Sequence, residues 1–187
     1  MRIRGRGLVT SAALAAAMIT ATLATAPAQV AAGEAAGALP SLDITGVYVT
    51  GVSSGGFTAT QLQVAYSATV DGAGIVAAGP YDCGQGNVID FATCDIGASL
   101  PVLEQQAVTW SADGLIDPVS DLAGKPVYIY HGTLDPIVND VVATSGVAFY
   151  RHFGASVEYH STDPAGHGWP TPDGVLPCPA MPTPTTW

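Results

Sequence analysis

Short apolar runs separated by turn residues dominate the hydrophobic pattern of this chain. Four of them predict β-strands: residues 46–52, 74–78, 126–130 and 156–160. Each run is rich in Val, Ile or Tyr and is followed by turn-forming residues, which is typical of buried strands.

Helical patterns fill the intervals between these runs. The first predicts a helix over residues 57–68, with four apolar side chains near one face: Phe57, Leu62, Ala65 and Tyr66.

A second helix is expected over residues 141–153, with Asn139 and Asp140 before it as caps and Gly154 as its end. A third is expected over residues 101–110.

Strands that alternate with helices and are nearly continuously apolar indicate a parallel sheet with helices on both faces. We therefore predict an α/β fold. Residues 29–187 suffice for one domain and are too few for two. Residues 170–187 carry six prolines and predict an extended or loop-like tail.

The amino terminus has the pattern of a secretory signal peptide. Arg2, Arg4 and Arg6 precede an Ala-rich run over residues 8–26. We expect a signal peptide over residues 1–28, with cleavage as late as residue 32, and hence secretion. A membrane anchor is disfavoured because the apolar run is short and rich in Ala and Thr.

Beyond residue 28 the chain is strongly acidic. Two basic residues, Lys125 and Arg151, stand against fifteen acidic ones, a formal charge of −13. This charge disfavours binding to nucleic acid and to anionic membranes.

Three cysteines, Cys83, Cys94 and Cys178, predict at least one disulfide in an oxidising compartment. We favour Cys83 with Cys94, because a bridge across a short polar loop is geometrically easy. No cysteine or histidine has the ligand spacing of a zinc site, and neither a metal nor another cofactor is expected.

The most specific motif is Gly51-Val52-Ser53-Ser54-Gly55, a G-x-S-x-G sequence between a predicted strand and a predicted helix. That context is the one a nucleophile elbow requires, so Ser53 is the candidate nucleophile. The helix dipole and the N–H of Ser54 would face a developing oxyanion. The alternative is a plain Gly/Ser turn.

A nucleophilic serine needs a histidine base and an acid that orients it. Asp135 follows a predicted strand, where sites of α/β proteins lie, and is favoured over Asp140, which resembles a helix cap.

His167, flanked by Gly166 and Gly168, is the candidate base. His152 and His160 are interpreted as surface or packed structural residues, and His131 as a stabiliser of the Asp135 loop.

From about residue 39 to 174 the chain resembles the catalytic domain of secreted polyhydroxybutyrate (PHB) depolymerases. The resemblance lies in residues 39–42, 51–57, 79–83, 132–135 and 166–170, although related feruloyl and acetyl-xylan esterases share these motifs.

The resemblance implies a serine esterase that cleaves a polyester through Ser53, His167 and Asp135, and it also pairs Cys83 with Cys94. Trp169, beside His167, would line an apolar crevice for the polymer or else be a core aromatic.

The chain departs from the usual hydrolase order, in which several strands precede the nucleophile. Residues 29–52 leave no room for them, which resembles a circularly permuted hydrolase. Only twenty residues follow His167, so we expect a C-terminally truncated fold. Cys178 is a candidate for the second oxyanion donor.

A truncated fold of this kind predicts weak activity or none. The alternatives are a carbohydrate esterase of feruloyl or acetyl-xylan type and a non-catalytic relative that retains the triad.

Overall fold

The computed structural model describes residues 43–85, 94 and 99–171, which lie within one compact unit, Asp43–Trp187. The strands are β1 (Tyr48–Val52), β2 (Gly72–Val76), β3 (Pro126–Tyr130) and β4 (Ser156–His160). The helices are α1 (Ser54–Ala65), α2 (Leu100–Ala112) and α3 (Asp140–His152), with a 3₁₀ helix at Val119–Leu122.

The predicted elements all form, and β3 and β4 have the expected bounds. β2 begins two residues earlier than predicted because Gly72 and Ala73 pair with Tyr48 and Val49. It ends at Val76 because Ala77 has a φ of 48°, which takes the chain out of the extended conformation.

The four strands form one parallel sheet in the order β1-β2-β3-β4. Each strand therefore pairs with the strand before it in the chain. Right-handed crossovers that always move in the same direction place every connecting helix on the same face.

The main core lies between this face and the helices. Cross-strand rows of apolar residues supply the sheet side, and all three helices contribute buried side chains to the same cluster, among them Val64 of α1, Leu103 of α2 and Phe149 of α3. One such row, in register across the sheet, is Val49, Ala73, Val127 and Val157.

The opposite face of the sheet is more exposed among the described residues. Thr50, Tyr128 and Glu158 lie on it, and each of these three side chains is exposed. The α/β prediction is confirmed, but the helices expected on this second face are not among the described residues.

The predicted apolar face of α1 is only partly the face that packs on the sheet: Phe57 packs against the main core. Leu62 and Tyr66 are 40% and 57% exposed. The buried positions are instead Gly56, Ala59, Thr60, Gln63 and Val64. Small residues are needed there, because a Cβ on Gly56 would lie 2.8 Å from the Cβ of Ala78.

The start of α3 also corrects a prediction. Asn139 occupies the N-cap position but makes no side-chain capping bond, and Asp140 is the first helical residue. The Oδ1 atom of Asp140 instead accepts a 2.9 Å hydrogen bond from the hydroxyl of Tyr159 on β4. Gly154 follows the helix with a φ of 75°, as expected for a helix end.

The predicted disulfide is confirmed: Cys83 is bonded to Cys94, with their Cα atoms 5.1 Å apart. The predicted signal peptide, most of the proline-rich tail and Cys178 lie outside the described residues. Within the described ranges, no helix is both long and apolar enough to cross a bilayer.

Candidate active site

Ser53 occupies a strained turn between β1 and α1. Its φ and ψ are 56° and −124°, a conformation that non-glycine residues seldom adopt. Its N–H donates to the carbonyl of Val76, and its own carbonyl accepts the N–H of Phe57. Such a tight strand-to-helix turn is the geometry of a nucleophile elbow.

Gly51 lets α1 approach the end of β1. A Cβ at position 51 would lie 2.2 Å from the carbonyl carbon of Gly55, closer than any real contact. A Cβ on Gly55 would meet nothing within 4 Å. The motif therefore needs its first glycine for packing of strand against helix.

Asp135 is the best-anchored group of the site. Its carboxylate is completely buried. Its Oδ1 accepts the backbone N–H groups of Ile137 and Val138, at 2.8 and 3.0 Å. Its Oδ2 lies 2.9 Å from Nδ1 of His167.

These contacts decide the ionisation of Asp135. Burial alone would raise its pKa, but the hydrogen bonds from His167, Val138 and Ile137 outweigh it, and the pKa of Asp135 is lowered. Because a carboxylate only accepts, Nδ1 of His167 carries the proton toward Asp135. Nε2 of His167, the other ring nitrogen, is then the one that can accept a proton from a nucleophile.

Backbone hydrogen bonds hold the carboxyl ends of the strands together. Ser53 donates to Val76, Ala77 to Tyr130, and His131 to His160. Ser53 follows β1, Asp135 follows β3 and His167 follows β4, so all three candidates lie at one edge of the parallel sheet.

A small apolar cluster lies beneath this edge. Val76, Ala77, Tyr130 and Ala165 are buried in it, and Val52 packs against it. The cluster connects the residue before Ser53 with the loop that carries His167.

Asp163, for which the sequence predicted no role, joins the two loops of the candidate pair. Its carbonyl accepts bonds from the N–H and hydroxyl of Thr133 and from the N–H of Ala165. Its carboxylate accepts a bond from the hydroxyl of Tyr130 and lies 3.1 Å from His160. The only signal in the sequence was the Asp-Pro turn after β4.

The remaining histidines have structural surroundings, as expected. His131 is 4% exposed and lies 2.8 Å from the carbonyl of Val138 in the Asp135 loop. His152 is half-exposed beside Glu104 on the surface of α2 and α3.

Two further predicted site residues are accessible. Ser54 is the exposed first residue of α1, next to Ser53. Trp169 is 51% exposed and is not part of the core that the described residues form. Across the described residues, no cluster of three or more His, Cys, Asp or Glu side chains could hold a metal ion.

No family model matches the chain. It is 40% identical over 144 residues to a poly(3-hydroxybutyrate) depolymerase of Delftia acidovorans, an alignment of 72% of this chain and 29% of that protein. It is 34% identical over 146 residues to a polyhydroxybutyrate depolymerase of Talaromyces funiculosus, covering 75% of this chain and 43% of the relative. The chain thus spans less than half the length of these relatives.

Solved structures agree in fold. The crystal structure of PHB depolymerase from Penicillium funiculosum and a PHB depolymerase variant complexed with an R3HB trimer each match with a TM-score of 0.66 and 32% identity. Each match covers 74% of this chain and 45% of the solved chain. Sequence identity, a parallel sheet of the α/β-hydrolase type and the resemblance of its motifs thus agree that the chain belongs to the PHB depolymerase family.

Proposed function

We propose that this chain carries the catalytic serine of a secreted esterase that hydrolyses poly(3-hydroxybutyrate) or a related polyester. One observation supports the proposal above the others: the buried Asp135–His167 pair lies at the same sheet edge as the strained Ser53 turn. A nucleophile, a base and an acid in this chain order are what ester hydrolysis by an α/β hydrolase needs.

In the acylation step, Oγ of Ser53 attacks the ester carbonyl while Nε2 of His167 takes the hydroxyl proton. Asp135 holds the imidazole in the required tautomer and stabilises the imidazolium that forms. The N–H of Ser54, at the start of α1, donates to the oxyanion. The same Nε2 then protonates the leaving alcohol, and the carbonyl–oxygen bond of the ester breaks.

In the deacylation step, His167 takes a proton from a water molecule, and the resulting hydroxide attacks the acyl-Ser53 ester. Breakdown of the second tetrahedral intermediate releases the acid and returns the proton to Ser53. These steps use only the side chains of the triad and a backbone donor.

The substrate class rests on the relatives. Two of them are named as polyhydroxybutyrate depolymerases, and a structural relative was solved with an R3HB trimer. Trp169 is two residues after His167 and half-exposed, so it offers an apolar surface beside the base for a methyl-substituted polyester.

Secretion is part of the proposal. The amino-terminal pattern of residues 1–28 is that of a signal peptide. The Cys83–Cys94 disulfide is consistent with it, because such bonds persist in oxidising compartments.

Labelling with a fluorophosphonate tests the catalytic part directly. We expect one covalent adduct on Ser53, found by mass spectrometry of the treated chain. Ser53→Ala should abolish it, and His167→Ala should slow it strongly. A folded chain that takes no label would instead support a non-catalytic relative of the family.

One observation favours a second candidate, a carbohydrate esterase. An open cavity of about 370 Å³ is lined by Asp82, Gln85, Gln106 and Trp110, together with Val102 and Leu103. Polar groups beside an indole ring suit a sugar better than a polyester, although none of Ser53, Asp135 and His167 lines this cavity. Clearing of a PHB suspension, compared with release of ferulate or acetate from xylan esters, separates the two candidates.

A further inference from the structure

His131 is a buried histidine that the mechanism does not use. It directly follows β3 and is 4% exposed. Its backbone N–H donates to the carbonyl of His160, which fixes it to the end of β4. Its ring lies under the loop that ends at Val138, seven residues farther along the chain.

Val138 is held through both of its backbone polar groups. Its N–H donates to Oδ1 of Asp135 at 3.0 Å, and its carbonyl oxygen lies 2.8 Å from Nε2 of His131. Its side chain is fully buried in the main core. Because a carbonyl oxygen only accepts, Nε2 of His131 must carry a proton.

We infer that His131 is a positioning residue for Asp135, acting through Val138. The bond from the His131 ring to the carbonyl of Val138 joins the first and the last residue of the loop 131–138. The backbone N–H groups of the last two residues of this loop donate to Asp135, so the position of the Asp135 carboxylate depends on that bond. The Nδ1 atom of His131 lies 3.7 Å from Oδ1 of Asp140 and its Nε2 atom lies 4.0 Å from Oδ2 of Asp135. Both distances exceed that of a hydrogen bond, so the 2.8 Å bond to Val138 is the contact that orients the ring.

The inference rests on the proposed role of Asp135 as the acid that orients His167. If the loop were not closed, Asp135 would move relative to Nδ1 of His167. Small displacements of catalytic groups reduce turnover by large factors while leaving substrate binding almost unchanged.

The first test needs no substitution and no activity. The ¹⁵N chemical shifts of the His131 ring in the native chain report which nitrogen is protonated. We expect a proton on Nε2. An unprotonated Nε2 would overturn the inference, whether or not the chain is an esterase.

The second test compares three variants. The side-chain amide of His131→Gln can place a donor where Nε2 lies, whereas that of His131→Asn is too short to reach there, and His131→Leu has no donor. His152→Gln, on the surface of α3, is the control for loss of a histidine.

The first readout is the resonance of the Nδ1 proton that His167 shares with Asp135, assigned by its absence in His167→Ala. We expect it in the native chain, in His131→Gln and in His152→Gln, and expect its loss or broadening in folded His131→Asn and His131→Leu. An unchanged resonance in the latter two, or its loss in His131→Gln, would contradict the role of His131.

The second readout is turnover of a soluble aryl ester. We expect kcat to fall roughly 10-fold or more in His131→Asn, with KM nearly unchanged and with recovery in His131→Gln. If the native chain neither turns over the ester nor takes the fluorophosphonate label, the proposed function fails, but the resonance and the ring shifts still decide the role of His131.

Discussion

Gly51 and Gly55, the two glycines of the G-x-S-x-G motif around Ser53, have different structural roles. Gly51 faces the backbone of Gly55 at a distance that excludes any side chain, whereas Gly55 itself has open space around its missing Cβ. The first is a packing requirement of the strand–helix junction, and the second is not.

We therefore expect Gly51→Ala to lower the free energy of unfolding by about 1 to 3 kcal/mol or more, because strand and helix must separate. Gly55→Ala should leave it within about 1 kcal/mol of the native value or increase it, since alanine favours helices. Urea unfolding of both variants checks this. Equal losses would mean that the close approach at Gly51 does not limit packing.

Trp169 carries a prediction about the substrate. If its exposed ring contacts the polymer, Trp169→Ala should slow clearing of a PHB suspension roughly 10-fold, which corresponds to about 1.4 kcal/mol. Trp169→Phe should keep most of the activity. A short soluble ester, which cannot extend past His167, serves as the control substrate, and an equal loss on it would show that Trp169 supports the triad instead.

At this scale the sequence predicted the three candidate triad residues and, in His131, one residue that supports the Asp135 loop, but it did not predict the role of Asp163. Ser53, Asp135 and His167 were identified because each stands in a glycine-containing loop after a predicted strand. Asp163 was missed because its partners Tyr130 and Thr133 lie about thirty residues away and no local pattern connects them.

Helix α1 shows how packing overrides a hydrophobic pattern. The sheet beneath it is close, so small and polar residues accompany Val64 on the buried face, while the apolar side chains of Leu62 and Tyr66 are exposed. The pattern of apolar residues predicted the helix correctly, but of the residues on its predicted apolar face Phe57 packs against the core whereas Leu62 and Tyr66 are exposed.

Gln63 on this buried face has no hydrogen-bond partner for either amide atom among the described residues, and it is fully buried. We expect Gln63→Met to raise the free energy of unfolding by roughly 1 to 3 kcal/mol, because a similar volume is kept and the desolvation cost is removed.

Gln61→Met is the matched control. The Oε1 atom of Gln61 accepts the N–H of Asp82, so its loss should destabilise the chain. Thermal unfolding of both variants distinguishes the two glutamines. A loss of stability in Gln63→Met would mean that an internal water satisfies its amide.

For the whole molecule, the buried carboxylate of Asp135 makes stability depend on pH. Its folded-state pKa is lowered, so the unfolded chain takes up the proton first as the pH falls. The contribution of Asp135 is fully present above about pH 4 and is lost as the pH falls through the folded-state pKa.

Acidification also weakens the repulsion among the other carboxylates of this acidic chain, which changes its stability. Comparing the pH dependence of the native chain with that of Asp135→Asn separates the contribution of Asp135 from this general effect. We expect the native chain to exceed the variant in free energy of unfolding at about pH 6, and the difference to shrink below about pH 4. Chemical unfolding at several pH values checks it. A difference in the free energy of unfolding that does not depend on pH would contradict the ionised state of Asp135.

The same substitution should reduce kcat roughly 10⁴-fold, because an amide does not hold the required tautomer.

At this scale the sequence predicted an α/β protein with a parallel sheet, and that prediction is confirmed. The sequence could not indicate the strand order, because the apolar pattern of a strand does not depend on which strands it pairs with. The expectation of two covered faces came from the nearly continuous apolar runs. β2 fits that expectation, since no position in it is exposed, whereas β3 has covered and exposed neighbours such as Val127 and Tyr128.

The sequential strand order has a consequence for assembly. A chain is synthesised from its amino terminus, and each strand here can add only to the one made just before it. The serine turn is therefore complete early, while the imidazole arrives only after the fourth strand has docked. Until then a newly made chain would hold an inert hydroxyl, so the proposed esterase site could not be complete before the fourth strand is in place.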